Sequence, residues 1–170
     1  MIDVPRLRTA RLVLRGFEQG DFEAYAAMMA DPEVTRYLGD GRPVSRADAW
    51  RQLAMFAGHW VLRGWGTWAV EDSGTGAFLG RIGNFEPEGW PGFELGYTVV
   101  RGAWGQGYAR EGAARALRSA REELGRTDVI SLIRPDNAAS IKVACALGAV
   151  RADTVEFFGS PTIVYRYPPK

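Results

Sequence analysis

The 170-residue chain has few of the residues on which several common chemistries depend. Cys145 is its only cysteine and His59 its only histidine. A single cysteine excludes a disulfide within the chain, and two such ligands are too few for a structural zinc site. A serine or cysteine hydrolase would have to use His59, and the chain has no GxSxG sequence to form a nucleophile elbow.

The chain also lacks an excess of charge of either sign and any long apolar run. Its formal net charge is +1, whereas proteins that bind nucleic acid mainly through phosphates are usually basic. No segment approaches the roughly 20 apolar residues that span a bilayer, and charges run through the first 15 residues. We therefore expect a cytoplasmic protein without a nucleic-acid or membrane partner. Assembly into a homodimer stays open.

What is present fits one folded domain, predicted over residues 1–170. Hydrophobic residues make up 46% and charged residues 24%, the usual balance of a globular protein. Hydrophobic periodicity and turn residues predict an α+β (α/β layered) domain with a mixed, mostly antiparallel sheet and helices on both faces. The predicted strands are 9–15, 67–71, 78–83, 93–100, 128–133, 154–158 and 163–167. The predicted helices are 22–29, 32–38, 46–61, 110–124 and 137–147, and Asp21 is expected to cap the first of them.

The most informative segment is 104–111, WGQGYARE, which connects a predicted strand to a predicted helix. Two glycines allow a sharp turn and a close backbone approach to a ligand. The free N–H groups of the helix start and the charge of Arg110 favour an anion. A plain tight turn is the alternative. The segment lacks the lysine of a P-loop, and Arg110 occupies the third glycine position of a dinucleotide fingerprint.

Four segments together resemble one family of enzymes. They are ELGYTV at 94–99, WGQGYA at 104–109, DNAAS at 136–140 and LGA at 147–149. In this order they are similar to the GNAT superfamily of N-acetyltransferases, and within it most similar to the ribosomal-protein N-terminal acetyltransferases. The strand 7–15 resembles the opening strand of that branch. The resemblance implies transfer of an acetyl group from acetyl-CoA to a primary amine, without a metal ion.

The resemblance also implies how the donor is held. Its pyrophosphate is expected on the turn formed by Gly105, Gln106, Gly107, Tyr108, Ala109 and Arg110. The pantetheine arm is expected along the strand edge at Thr98, Val99 and Val100, with a hydrogen bond from Asn137. Trp104 departs from the glutamine or arginine that is common at the first position of the pyrophosphate motif, so that position contributes no charge.

Two residues are the expected acid and base. The resemblance implies that Glu94, on one strand face with Gly96 and Thr98, accepts the amine proton, directly or through water. A salt-bridged surface glutamate is the alternative. Ser140 is expected to donate a proton to the leaving thiolate, while Asn137 and Ser140 would also form an ordinary helix start. Cys145 is expected in the core.

The acceptor side is specified less closely. The acceptor is a protein N-terminus, a lysine side chain or a small amine. Loop 86–92 and the hairpin formed by the last two predicted strands, 154–158 and 163–167, are expected to select it. A non-catalytic acyl-CoA-binding or regulatory module on the same fold is the second hypothesis. Aromatic candidates for the mouth, with His59 nearby, are Trp65, Trp68, Phe85, Trp90 and Tyr97. Acidic candidates to attract a cationic acceptor are Glu86, Glu88 and Glu156.

Overall fold

The computed structural model describes residues 3–169, so residues 1, 2 and 170 of the predicted domain lie outside the described part. Eight strands form one sheet, and five α-helices pack against it. The strands are β1 Leu7–Arg8, β2 Leu12–Arg15, β3 Thr67–Asp72, β4 Phe78–Phe85, β5 Glu94–Val99, β6 Ile130–Ile133, β7 Val150–Phe157 and β8 Ser160–Arg166. The helices are α1 Phe22–Ala30, α2 Pro32–Thr35, α3 Arg46–Arg63, α4 Tyr108–Glu122 and α5 Ala138–Ala146.

The sheet order is β1-β2-β3-β4-β5-β6-β8-β7, and every neighbouring pair is antiparallel except β5 with β6. Those two parallel strands share a single register position, Glu94 with Ile130. Towards the carboxyl end of β5 they separate and leave a cleft in the middle of the sheet. The predicted fold class is confirmed.

Alternation along β4 and β5 sorts their side chains between two apolar clusters. Ile82 and Leu95 pack with α4 on one face of the sheet. Phe85 packs with α1 and α3 on the other. Glu94 lies opposite Phe85 in the register, so its side chain is on the face of Phe85. This face holds the second of the two cavities described below.

Two local predictions are wrong. Asp21 does not cap α1 with its side chain, because its carboxylate accepts two hydrogen bonds from the Arg15 guanidinium, at 2.8 and 2.9 Å. Cys145 is exposed rather than in the core, because α5 is half-covered and turns Ala144 to the sheet instead. The predicted hairpin is correct, with its turn at Phe158 and Gly159.

No helix within residues 3–169 is both long and apolar enough to cross a membrane. No group of three or more His, Cys, Asp or Glu residues in that range is arranged to hold a metal ion.

Arg15 ties β2 to the sheet and to the start of α1, and it generates a stability prediction. Its buried guanidinium pairs with Asp21 at 2.8 Å and with Glu71 at 2.7 Å. Arg15→Met leaves the buried Asp21 carboxylate without its cation, so we expect a loss of about 3–5 kcal/mol in the free energy of unfolding. Chemical denaturation measures this loss. The control is Arg46→Met, which breaks an exposed pair with Glu23 and should have a much smaller effect.

Candidate active site

Two cavities meet in the cleft between β5 and β6. The first encloses about 580 Å³ between α2, β5, α4 and α5. The second encloses about 510 Å³ on the face of the sheet that carries Glu94. Six residues line both cavities, namely Tyr37, Leu38, Tyr97, Thr98, Asn137 and Ser140. A ligand in one cavity can therefore touch a ligand in the other along this shared wall.

The backbone groups of β5 alternate between the edge that pairs with β4 and the edge that faces the cleft. Val100 donates its N–H to Leu79 O, and Thr98 pairs with Arg81 of β4, so even-numbered residues direct their backbone groups to β4. Odd-numbered residues face the cleft. The Val99 carbonyl already accepts a hydrogen bond from Trp104 Nε1 at 2.8 Å. The backbone groups of Tyr97 and the N–H of Val99 are therefore the ones that face the first cavity.

The predicted anion turn has the geometry that its glycines suggested. Gly105 and Gly107 have φ of +74° and +81°, the left-handed region that glycine adopts without strain. Helix α4 begins at Tyr108, and no side chain caps it. Its first N–H groups, at Tyr108, Ala109 and Arg110, thus stay available at the wall of the first cavity.

Charge around the first cavity is predominantly positive. Arg36, Arg110 and Lys142 line it, against a single carboxylate, Glu33. Arg36 directly follows α2, and Arg110 and Lys142 lie on α4 and α5. Arg110 is exposed and pairs with no carboxylate within residues 3–169. The cavity is therefore suited to a ligand with several phosphates.

Arg11, just before β2, braces the anion turn from behind. Its guanidinium donates to Gln106 O at 3.0 Å and pairs with Glu111 at 2.7 Å. It also lies 4.5 Å from the centre of the Tyr108 ring. The turn is thus held at both sides of its second glycine by a residue nearly 100 positions away in the chain.

Glu94 lies in the second cavity with one strong hydrogen-bond donor. Trp90 Nε1 donates to Glu94 Oε2 at 2.7 Å, and the carboxylate makes no ion pair within residues 3–169. Burial raises the pKa of the Glu94 carboxyl above its ordinary value, against smaller opposing effects of the Trp90 N–H and the Arg81 charge. A carboxyl with a raised pKa is a stronger base when ionised.

Asn137 and Ser140 lie on the wall that the two cavities share. Asn137 Oδ1 accepts the Ser140 N–H at 3.2 Å and so caps α5, as the ordinary reading of this segment predicted. The Tyr97 hydroxyl donates to Ser140 O at 2.8 Å. This bond holds the start of α5 against β5 across the cleft.

Most of the predicted donor residues line the first cavity. Val100 and Gln106 do not: Val100 is directed to β4, and the Gln106 side chain donates to Gly102 O. Glu94 lines only the second cavity. The donor-side residues that the sequence analysis missed are Arg11, Arg36 and Lys142, because nothing in the local sequence separates them from other surface cations.

The acceptor-side candidates divide clearly. Phe85, Trp90 and Tyr97 line the second cavity. Trp65, Trp68 and His59 do not: Trp68 is in the core on the opposite face, and His59 Nδ1 bonds to Trp65 O. The acidic candidates line neither cavity. They are Glu86, Glu88 and Glu156.

Comparison with known proteins identifies the family. Residues 11–150 match the family model of the acetyltransferase (GNAT) domain. The chain belongs to the GNAT acetyltransferase family. It is thus an acetyl-CoA-dependent N-acetyltransferase, and the superfamily resemblance noted in the sequence is confirmed.

The most informative relatives include proteins with and without an assigned activity. The uncharacterized protein YkkB of Bacillus subtilis is 33% identical, with 94% of each chain covered. An FsC-acetyl coenzyme A-N(2)-transacetylase of Aspergillus fumigatus is also 33% identical, over 88% of this chain and 67% of that protein. The crystal structure of an Agrobacterium tumefaciens acetyltransferase superimposes with a TM-score of 0.89 at 31% identity, covering 99% of this chain and 97% of the other.

The brace on the anion turn generates a prediction for donor binding. Arg11→Met removes the hydrogen bond to Gln106 O and the ion pair with Glu111, so the anion turn loses its fixed position. We expect CoA to bind about tenfold more weakly, the loss of about one charged hydrogen bond. Titration calorimetry with CoA measures this change. Arg118→Gln, on the exposed side of α4, is the control, and equal losses in both variants would contradict the brace.

Proposed function

We propose that the enzyme transfers the acetyl group by direct attack of a primary amine on acetyl-CoA, with both substrates bound together. The observation that supports this is the shared wall of the two cavities at Tyr97, Thr98, Asn137 and Ser140. The donor occupies the first cavity and the acceptor the second, so the thioester and the amine meet at this wall. No covalent enzyme intermediate is needed.

The positive first cavity supports the placement of the donor. Its pyrophosphate is bound by the N–H groups of the turn from Gly105 to Arg110, and its remaining phosphate lies among Arg36, Arg110 and Lys142. The pantetheine arm lies along β5 and pairs like an added strand. The register favours the backbone of Tyr97 and Val99 for this pairing, with Thr98 contributing its side chain.

Glu94 is the proposed general base. An alkyl amine has a pKa near 10.4 and an α-amine one near 8, so an acceptor must lose a proton before or as it attacks. As the new C–N bond forms and the C–S bond breaks, the amine proton passes to the Glu94 carboxylate, directly or through water. Burial and the absence of an ion pair within residues 3–169 support this role over that of a salt-bridged glutamate.

Ser140 is the proposed acid. Its hydroxyl has no hydrogen-bond partner among residues 3–169, and it lies on the wall where the C–S bond breaks. It donates its proton to the departing CoA sulfur and recovers one from solvent. Asn137 both caps α5 and presents its amide N–H groups to the pantetheine.

The acceptor proposals of the sequence analysis remain a protein N-terminus, a lysine side chain or a small amine. The second hypothesis is a regulatory module that binds acyl-CoA without turnover. The ligand titration and the amine panel described next distinguish it from the enzyme. A cytoplasmic location and the lack of a nucleic-acid or membrane partner remain predictions, and assembly into a homodimer stays open.

Titration with acetyl-CoA and with CoA tests the donor site directly. Calorimetry should detect binding of both ligands. No binding at millimolar ligand would contradict the proposal. Binding without acetylation of any amine in a broad panel would favour the regulatory module.

Replacing the proposed base should separate catalysis from stability. We expect Glu94→Gln to lower kcat by about 100-fold or more, with little change in CoA affinity. In the native protein the raised Glu94 pKa means that stability is lost as pH rises through that pKa. The glutamine has no charge to bury, so Tm should increase relative to wild type above that pH.

The pH profile checks the same assignment. Wild-type kcat/KM should fall on the acid side through a pKa above the 4.3 of an ordinary glutamate, in addition to the limb that belongs to the acceptor amine. Glu94→Gln should retain only the limb of the amine. A full wild-type profile in the variant would show that another group accepts the proton.

Replacing the proposed acid should have a smaller effect. We expect Ser140→Ala to reduce kcat about 10- to 100-fold, because water substitutes for the hydroxyl in part. CoA release measured with a thiol reagent gives the rate, and calorimetry gives CoA affinity, which should stay constant. Ser73→Ala, in an exposed turn, is the control. Unchanged turnover in Ser140→Ala would remove the serine from the mechanism.

A further inference from the structure

Arg81 lies on the acceptor side of the site and has no role in the chemistry described so far. It is in the middle of β4, directly opposite Thr98 of β5. It shares the face of Glu94, and both side chains line the second cavity. The Arg81 charge also acts on the Glu94 carboxyl, whose pKa it lowers. The guanidinium is therefore near the place where the acceptor amine reacts.

The Arg81 guanidinium is not neutralised by the protein. It pairs with no carboxylate of residues 3–169, and its buried Nε has no hydrogen-bond partner. Arg15, which also projects from the sheet, is paired with two carboxylates. Arg81 is half-buried, and a partly desolvated charge without a counter-charge is unfavourable. An unpaired one that faces a ligand cavity indicates that the ligand supplies the anion.

The neighbours of Arg81 orient the guanidinium without neutralising it. Its Cζ lies 5.1 Å from the centre of the Phe56 ring, which supports one face of the plane. The Tyr25 hydroxyl nearby donates to Gln52 Oε1 at 2.8 Å and is a neutral group. A planar, always-charged group held in this way suits a carboxylate, which it can bind through two parallel hydrogen bonds.

The charges of the whole cavity point the same way. Three arginines and two carboxylates line it, namely Arg42, Arg81, Arg134, Asp40 and Glu94. The acidic residues expected to attract a cation line neither cavity. If Glu94 serves the reacting amine, Asp40 is the one carboxylate left against three arginines, so a polyamine or another acceptor with a second cationic group would meet a wall of net positive charge. An acceptor with an anionic group would complete the charge balance.

The remaining wall is apolar and the space is limited. Phe85, Trp90, Phe157 and Phe158 line the cavity, and Trp90 contacts Phe85 and Phe157 at ring-centre distances of 5.1 and 4.8 Å. A volume of about 510 Å³ is in the range of small-molecule sites. The cavity thus suits a compact molecule with an apolar body.

We propose that Arg81 binds the carboxylate of the acceptor, and that the acceptor is a small primary amine that carries a carboxylate on an apolar skeleton. This inference rests on the proposed function, because it assigns the acceptor of the same reaction. Arg81 is then a specificity-determining residue. It contacts the substrate at a group that does not react, and Glu94 takes the amine proton as before.

The test compares amines that differ only in the carboxylate. One set is phenylalanine, phenylalaninamide and phenethylamine, and a second is 6-aminohexanoate and hexylamine. One of the two carboxylate amines, phenylalanine or 6-aminohexanoate, is expected to be the better substrate. For that amine, wild-type kcat/KM should be about 10- to 100-fold higher than for the amines of its set that lack the carboxylate, which is the effect of one charged hydrogen bond. Equal rates within both sets would overturn the inference without requiring any variant.

Variants of Arg81 assign the preference to this residue. Arg81→Gln should abolish the preference for the carboxylate amine, mainly through a higher KM for that amine, so that the ratio of kcat/KM between the carboxylate amine and its neutral partner falls to about 1. Arg81→Lys, which keeps the charge, should restore part of the preference. Arg118→Gln is the control for the loss of one arginine. A preference that survives in Arg81→Gln would overturn the inference.

Measurement of acetyl-CoA binding distinguishes failure of the inference about the acceptor from failure of the proposed function. Acetyl-CoA binding should be equal in wild type and Arg81→Gln, as measured by calorimetry. Binding of acetyl-CoA with no transfer to any carboxylate amine of the panel would overturn the inference about the acceptor alone. No binding of acetyl-CoA to the wild type would overturn the proposed function as well.

Discussion

Strands β5 and β6 touch at one register position and then separate, and the whole site depends on that separation. Parallel neighbours normally continue their ladder of hydrogen bonds. Here the ladder ends after Glu94 and Ile130, so β5 has one paired edge and one open edge. The open edge offers backbone groups to an extended ligand, and the gap provides the space in which two substrates can meet.

The cleft is held open by contacts that cross it rather than by ladder bonds. Tyr97 reaches from β5 to the carbonyl of Ser140 at the start of α5. Ser131 of β6 donates to Leu95 O and bonds to the Tyr167 hydroxyl, at 2.6 and 2.9 Å. Burial raises the pKa of Tyr167 to about 12, so the phenol stays neutral and keeps its proton for hydrogen bonding. These polar bridges fix the width of the cleft.

The proposed donor and acceptor sides differ in how they present charge. On the proposed donor side, cations and helix N–H groups lie at the surface, where a large, highly charged ligand replaces their bound water at little cost. On the proposed acceptor side, Glu94 and Arg81 are both half-buried, and neither forms an ion pair with residues 3–169. In the proposed function, catalysis and selectivity therefore depend on two neighbouring side chains of β4 and β5.

The local sequence was sufficient to predict the anion turn, the strand face that carries Glu94 and most of the helices and strands. Glycine spacing at 105 and 107 predicted the anion turn, because only glycine adopts the left-handed backbone there without strain. Strand alternation placed Glu94 on one face with Thr98. Helices and strands were located within a few residues, because their apolar periodicity and end signals are local.

Only the tertiary structure decided which distant residues join these motifs. Arg36 and Lys142 line the first cavity and Arg11 braces the anion turn beside it, and no local pattern marks any of the three. Asp21 looked like a cap but is taken by Arg15, because a buried ion pair outweighs a helix cap. Cys145 followed the apolar periodicity and is exposed, because α5 is only half-covered. Nothing in the local sequence marks Arg81, because whether a strand arginine has a carboxylate partner depends on which acidic side chains fold next to it.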